Sequence, residues 1–226
     1  MDCIRRFCRH MKSSRYAERK CRVMEQKIIF ATGNKGKMKE VSRILEDLGL
    51  AVISMHDAGI NVEIEENGSS YEENALLKAR AVAGCAEGNC IVLADDSGLE
   101  IDYLNREPGI YSARYLGEDT SYREKNQNLI DRLAGVPDEK RTARFVCAIA
   151  AVLPDGRELT TLGVIEGRIG YEEKGSGGFG YDPIFFVPEY GKTTAELTEE
   201  EKNAVSHRGR ALEAMKIELR KYMMVD

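Results

Sequence analysis

No apolar stretch in this 226-residue sequence approaches the roughly 20 residues that a membrane-spanning helix needs. The longest candidate, Phe145–Leu153, suits a buried strand, so no membrane partner is expected. None of the six cysteines (Cys3, Cys8, Cys21, Cys85, Cys90 and Cys147) forms a Cys-x-x-Cys pair. A secretory apolar segment is also missing, and the expectation is reduced thiols and a cytoplasmic location. The histidines His10, His56 and His207 stand at no ligand spacing to the cysteines, which argues against structural zinc. Internal repeats are absent.

Positive charge is scarce outside one segment. The chain carries a net charge of −5, yet residues 1–26 hold eight Lys/Arg against three Asp/Glu, leaving the remainder at −10. An acidic body disfavours nucleic acid as a partner, because duplex binding needs many phosphates neutralised. It suits a site where carboxylates hold a divalent cation and the substrate brings further negative charge. Residues 1–26 read as a basic extension, poorly ordered or a non-native start, and residues 27–226 as one domain. The extension is a targeting or nucleic-acid-binding arm, or translation naturally starts at Met24; the second reading is preferred.

What is present begins with a strand-to-helix junction. Lys27–Thr32 reads as a buried strand, and Met38–Leu48 as a helix with Met38, Val41, Ile44, Leu45 and Leu48 at helical spacing. Gly49 is a plausible C-cap and Ala51–Ser54 a second strand, which predicts an α/β fold. Further on, Ser70–Glu73 has the capping-box pattern and opens a helix to about Glu87, with a stripe of small residues at Ala75, Ala79, Val82, Ala83 and Ala86. Cys90–Ala94 is a buried strand ending in Asp95-Asp96-Ser97-Gly98. Arg144–Leu153 and Arg157–Glu166 flank Pro154-Asp155-Gly156 as a hairpin.

The junction loop, Thr32-Gly33-Asn34-Lys35-Gly36-Lys37, places two lysines beside the amides of a helix start, a ready anion site. It lacks P-loop spacing, since only Asn34 and Lys35 separate Gly33 from Gly36. An ordinary turn with solvated lysines is the plain alternative. The carboxylates of Asp95 and Asp96 leave the end of an apolar strand, where α/β sheets bind ligands, and point to opposite faces. Such a pair holds Mg²⁺ or acts as a base toward water; a turn with solvated acids is the alternative. Glu63, Glu65 and Glu66 are a second acidic cluster, either part of a metal shell or a solvated face. Tyr71, Asn74 and Lys78 share one helix face. Gly175–Pro183 combines flexible backbone with Phe179 and Tyr181, able to lie against a flat base. Lys202, Ser206, His207 and Arg208 gather at a helix start and supply donors for a carbonyl or a planar ring. His56 reads as structural or solvated.

Six segments in order resemble the inosine triphosphate pyrophosphatases, or XTP/dITP diphosphatases: Thr32–Lys37, Glu73–Ala79, Ala94–Leu99, Pro108–Arg114, Gly177–Pro183 and Ser206–Arg208. The resemblance implies an α/β fold with an elongated mixed β-sheet flanked by helices, in two lobes around a central nucleotide cleft, and a homodimer. It implies Mg²⁺-dependent hydrolysis of ITP, dITP or XTP to the monophosphate and pyrophosphate. Thr32, Gly33, Asn34, Lys35, Gly36 and Lys37 would cradle the triphosphate, with Asn74 and Lys78 as further phosphate contacts. Asp96 would be general base and Mg²⁺ ligand, Ser97 a substrate contact, and Glu65 or Glu66 the other metal ligand. Phe179, Gly180, Tyr181 and Asp182 would form the base and sugar pocket, and Lys202, His207 and Arg208 would meet the purine. The competing readings are a nucleotide-binding regulator without catalysis and a nucleic-acid binder acting through the basic extension.

Overall fold

The computed structural model describes residues 26–225; the extension through residue 25, with Cys3, Cys8, His10, Cys21 and the Met24 start, lies outside the described residues. An open sheet of eight strands runs in the order β2-β1-β3-β5-β6-β7-β8, with β4 paired to β3. Strands β1 (Lys27–Phe30), β2 (Ala51–Ser54) and the first part of β3 (Cys90–Ile101) are parallel. Every other pairing is antiparallel, including β4 (Glu107–Pro108), β5 (Thr142–Val152), β6 (Glu158–Ile169), β7 (Phe185–Val187) and β8 (Lys192–Thr193).

Helix α1 (Lys35–Leu45) starts earlier than its apolar period suggests, because Asn34 caps it and brings the lysine loop into its first turn. A 3₁₀ turn follows and ends at Gly49, whose φ of 69° suits glycine. The Ser70 hydroxyl caps α2 (Tyr71–Ala83), which stops short of Glu87 at Gly84. Among the described residues the remaining α-helices are α3 (Tyr122–Arg132), α4 (Glu199–Val205) and α5 (His207–Val225), with capping boxes opening α3 and α4.

One expectation is corrected by register. Asp95 and Asp96 do not follow a short strand: β3 runs unbroken through them for 12 residues. Its parallel partner β1 stops opposite Leu93, while β5 pairs β3 from Val92 to Ile101. The aspartates therefore still stand just past the carboxyl end of the parallel strands, because β1 ends there and β3 does not.

Side chains of β3 alternate between the two sheet faces. Ile91 and Leu93 join the core beneath α1 and α5, with Val41, Leu45, Leu212, Met215 and Leu219. Val92 and Ala94 join the opposite core beneath α2, where Ala75, Ala79 and Val82 allow close packing. A third cluster, built on Leu99, Ile101, Phe145, Ile165 and Phe185, fills the far end of the sheet with Leu129 of α3 and Leu133 just after it. Helix α5 lies directly on β6: a Cβ at Gly163 would stand 2.1 Å from the His207 carbonyl oxygen.

Candidate active site

Alternation sends Asp95 to the α1/α5 face and Asp96 to the α2 face, so neighbouring carboxylates meet different company. Lys37 Nζ lies 3.0 Å from Asp95 Oδ1 and 2.9 Å from Oδ2, and Arg208 Nε donates to Oδ2 at 3.1 Å. Burial works against charge on Asp95, but Lys37, Arg208 and Lys78 outweigh it and hold the carboxyl far below its ordinary 3.8. The Ser97 hydroxyl, on the same face, approaches Asp95 Oδ2 at 3.4 Å.

Asp96 has weaker compensation. Asn74 Nδ2 donates to Oδ2 and Lys78 Nζ to Oδ1, each at 3.2 Å. Burial raises its pKa, Glu66 adds to the rise, and Lys78 and the Asn74 hydrogen bond only partly oppose it. The result is a carboxylate with greater proton affinity than its neighbour. Lys78, pulled down by burial but held up more strongly by Asp96, Asp95 and Glu66, stays charged. Its ammonium also meets Glu66 Oε1 at 3.2 Å, so it sits between two carboxylates.

The segment before α2 places the two candidate glutamates differently. Exposure alternates along it: Val62 and Ile64 pack on the core, Glu65 faces solvent with no partner among the described residues, and Glu66 turns inward. Arg114 Nη2 donates to the Glu66 carbonyl at 3.2 Å and stacks on Tyr111.

The lysine loop reaches Asp95 through Lys37. Thr32 Oγ1 accepts from Asn34 N at 3.1 Å, and Asn34 Oδ1 accepts from Gly36 N at 2.8 Å and Lys37 N at 3.2 Å. Gly33 lies against the His56 imidazole, and Lys35 is exposed without a partner among the described residues.

At the other end, the residues of the Gly175–Pro183 loop separate into presenting and supporting groups. Phe179 exposes 47% of its surface, with the Lys202 ammonium 5.3 Å and the Arg208 guanidinium 5.7 Å from its ring centre. Asp182 is buried and accepts from Phe179 N at 2.7 Å, Lys202 Nζ at 2.6 Å and Thr194 Oγ1 at 2.8 Å. Tyr181 is buried too, its hydroxyl donating to the Ser112 carbonyl at 2.7 Å. Gly180 passes over the Tyr122 ring. The His207 ring stacks on Phe145 at 4.9 Å; burial, then the charges of Arg208 and Lys202, hold its imidazole well below 6.5 and therefore neutral.

Several contributors had no motif to announce them. Glu40 binds Arg208 Nη1 at 2.9 Å and Ser206 Oγ at 3.3 Å; its place one turn after Lys37 on α1 was the available signal. Asn126 of α3 donates to Glu173 and to the Gly180 carbonyl, steadying the aromatic loop. No local pattern linked those positions.

Comparison with known proteins bears on this arrangement. The Ham1 family profile matches residues 28–218. A dITP/XTP pyrophosphatase of Clostridium perfringens is 48% identical over 199 residues, covering 86% of this chain and 98% of that protein. One from Exiguobacterium sibiricum is 49% identical over 197 residues, with coverage of 87% and 98%. The solved structure of the Staphylococcus aureus Ham1 protein superposes with a TM-score of 0.78 at 40% identity, covering 87% of this chain and 99% of that one.

Proposed function

The chain belongs to the Ham1 family, and on that premise we propose that it hydrolyses deaminated purine nucleoside triphosphates (ITP, dITP and XTP) to the monophosphate and pyrophosphate, clearing them from the nucleotide pool. The observation that carries the mechanism is the split between the adjacent aspartates. Asp95 is tied to two cations, whereas Asp96 keeps its proton affinity beside Lys78 and Asn74.

Thr32–Lys37 receives the triphosphate, with Lys35 and Lys37 offsetting its charge and Asn74 and Lys78 reaching it from α2. Phosphoryl transfer depends mainly on positioning and charge neutralisation. Asp96 orients a water toward the α-phosphorus and takes its proton, and pyrophosphate leaves. Ser97 contacts the substrate between the phosphate and base ends.

Asp96 and Glu66 flank Lys78 with oxygen donors alone. Among the described residues no group of three or more His, Cys, Asp or Glu side chains converges as a metal cage. One or two carboxylates completed by substrate phosphates and water is the setting Mg²⁺ prefers, so the donor set fits Mg²⁺ with Asp96 and Glu66 as ligands. Bound there, Mg²⁺ would neutralise charge on the phosphate oxygens. Glu65, facing solvent, is the weaker choice of the pair.

The base lies against Phe179, and Lys202, neutral His207 and Arg208 aim donors at the purine 6-oxygen. Adenine carries a 6-amino donor there, which would leave those donors unpaired, and such mismatches discriminate strongly. Gly180, Tyr181 and Asp182 shape this end from behind. The assembly is proposed to be a homodimer, which sedimentation measurements would test. No described helix is long and apolar enough to cross a membrane.

Pyrophosphate release with Mg²⁺ from ITP, compared with ATP and GTP, tests the reading. Rapid ITP turnover with slow ATP turnover is expected. Nucleotide binding without any turnover would overturn catalysis in favour of a regulator.

A further inference from the structure

The proposed reaction makes no use of Asp95, although it is 2% exposed and lies at the centre of the site. Its oxygens are committed to Lys37, at the N-terminal end of α1, and Arg208, at the N-terminal end of α5. The two long side chains belong to opposite ends of the reaction: Lys37 meets the triphosphate and Arg208 the purine. Both are largely withdrawn from solvent, with side-chain exposures of 22% and 5%, so each depends on protein partners for its place. Arg208 gains a second tie to α1 through Glu40 at 2.9 Å. Without Asp95 the cations would face each other across a poorly hydrated space, and like charges there repel.

We propose that Asp95 is a positioning residue whose single carboxylate sets the spacing between the triphosphate grip and the purine clamp. The proposal rests on the functional reading above and adds a coupling between the ends of the cleft. A residue serving only one end would affect only one half of the nucleotide. Asp95 affects both, and a change at Lys37 is felt at the purine although Lys37 does not touch it.

Two half-ligands separate the ends: inorganic tripolyphosphate for the lysine loop and inosine for the purine clamp, each titrated calorimetrically into the full chain. Asp95→Asn is expected to weaken both by about tenfold, the scale of one lost charge-assisted hydrogen bond. The ITP-to-ATP preference should narrow in parallel. Lys37→Met, a change at a partly exposed side chain, keeps the test alive if Asp95→Asn fails to fold, and should weaken inosine binding as well as tripolyphosphate binding. Inosine affinity unchanged in Lys37→Met, or a loss confined to one probe in Asp95→Asn, overturns the coupling. Lack of ITP turnover by the wild type would instead overturn the proposed reaction, with the two-probe comparison still deciding the coupling.

Discussion

The two faces of β3 carry the same chemical group one residue apart and put it to different ends. On the α1/α5 face, Asp95 lies between Lys37 and Arg208 and is locked as an anion. On the α2 face, Asp96 has one ammonium, shared with Glu66, and one amide; burial leaves it more ready to accept a proton. A carboxylate with full compensation serves as a fixed anchor. A buried one with partial compensation is suited to proton transfer and metal ligation. Helix composition underlies the difference. The small residues of α2 bring Asn74 and Lys78 close to the strand, whereas α1 and α5 send long cations from their N-terminal ends.

The sharpest way to break the comparison is Asp96→Asn. ITP turnover should fall by about 10²–10⁴-fold, the usual worth of a general base, while the circular dichroism spectrum stays native. Retained turnover would refute the role assigned to Asp96. Gly163→Ala attacks the other face by driving a methyl into the His207 carbonyl and the Ala211 amide. Overpacking of this kind costs about 1–3 kcal/mol, read as a fall in the denaturant midpoint, and selectivity for ITP over ATP should decline with it. Lys78→Met should raise the Mg²⁺ concentration needed for half-maximal rate less than Glu66→Gln does, because Lys78 lies between the carboxylates without being an oxygen donor; the reverse order would remove Glu66 from the metal site. The smallest effect is a pH dependence. His207 is held neutral below its ordinary 6.5, so protonation favours the unfolded chain. Its contribution is therefore present above pH 6.5 and lost as pH falls below it; His207→Gln should flatten that part of the stability profile, measured by denaturant midpoints.

Much of the fold could be read locally. Ser70, Ser121 and Thr198 all sit at helix starts, and the Pro154-Asp155-Gly156 hairpin joins β5 to β6. Helix ends and strand lengths were less legible. Helix α2 stops at Ala83, and β3 continues through Asp95 and Asp96, because pairing with β5 (remote in sequence) extends the strand beyond its apolar run. In the site, the lysine loop and the aspartates stood out as motifs. Glu40 and Asn126 did not, since each works through a partner brought close only by folding. Phe179, Tyr181 and Asp182 are neighbours in sequence, yet only the packed structure separates an exposed ring from two buried supports.

By itself, the sequence determined the alternating α/β pattern, the lysine-bearing strand-to-helix junction and the two-sided placement of adjacent aspartates, because these follow from periodicity and the two-residue repeat of a strand. Tertiary structure decided which aspartate is anchored between two cations and which is more ready to accept a proton, and which of Glu65 and Glu66 turns inward to Lys78 beside Asp96. The reason is electrostatic: a carboxylate's behaviour depends on its burial and on the charges within a few ångströms. Here those charges come from residues as far away in the chain as Lys37 and Arg208.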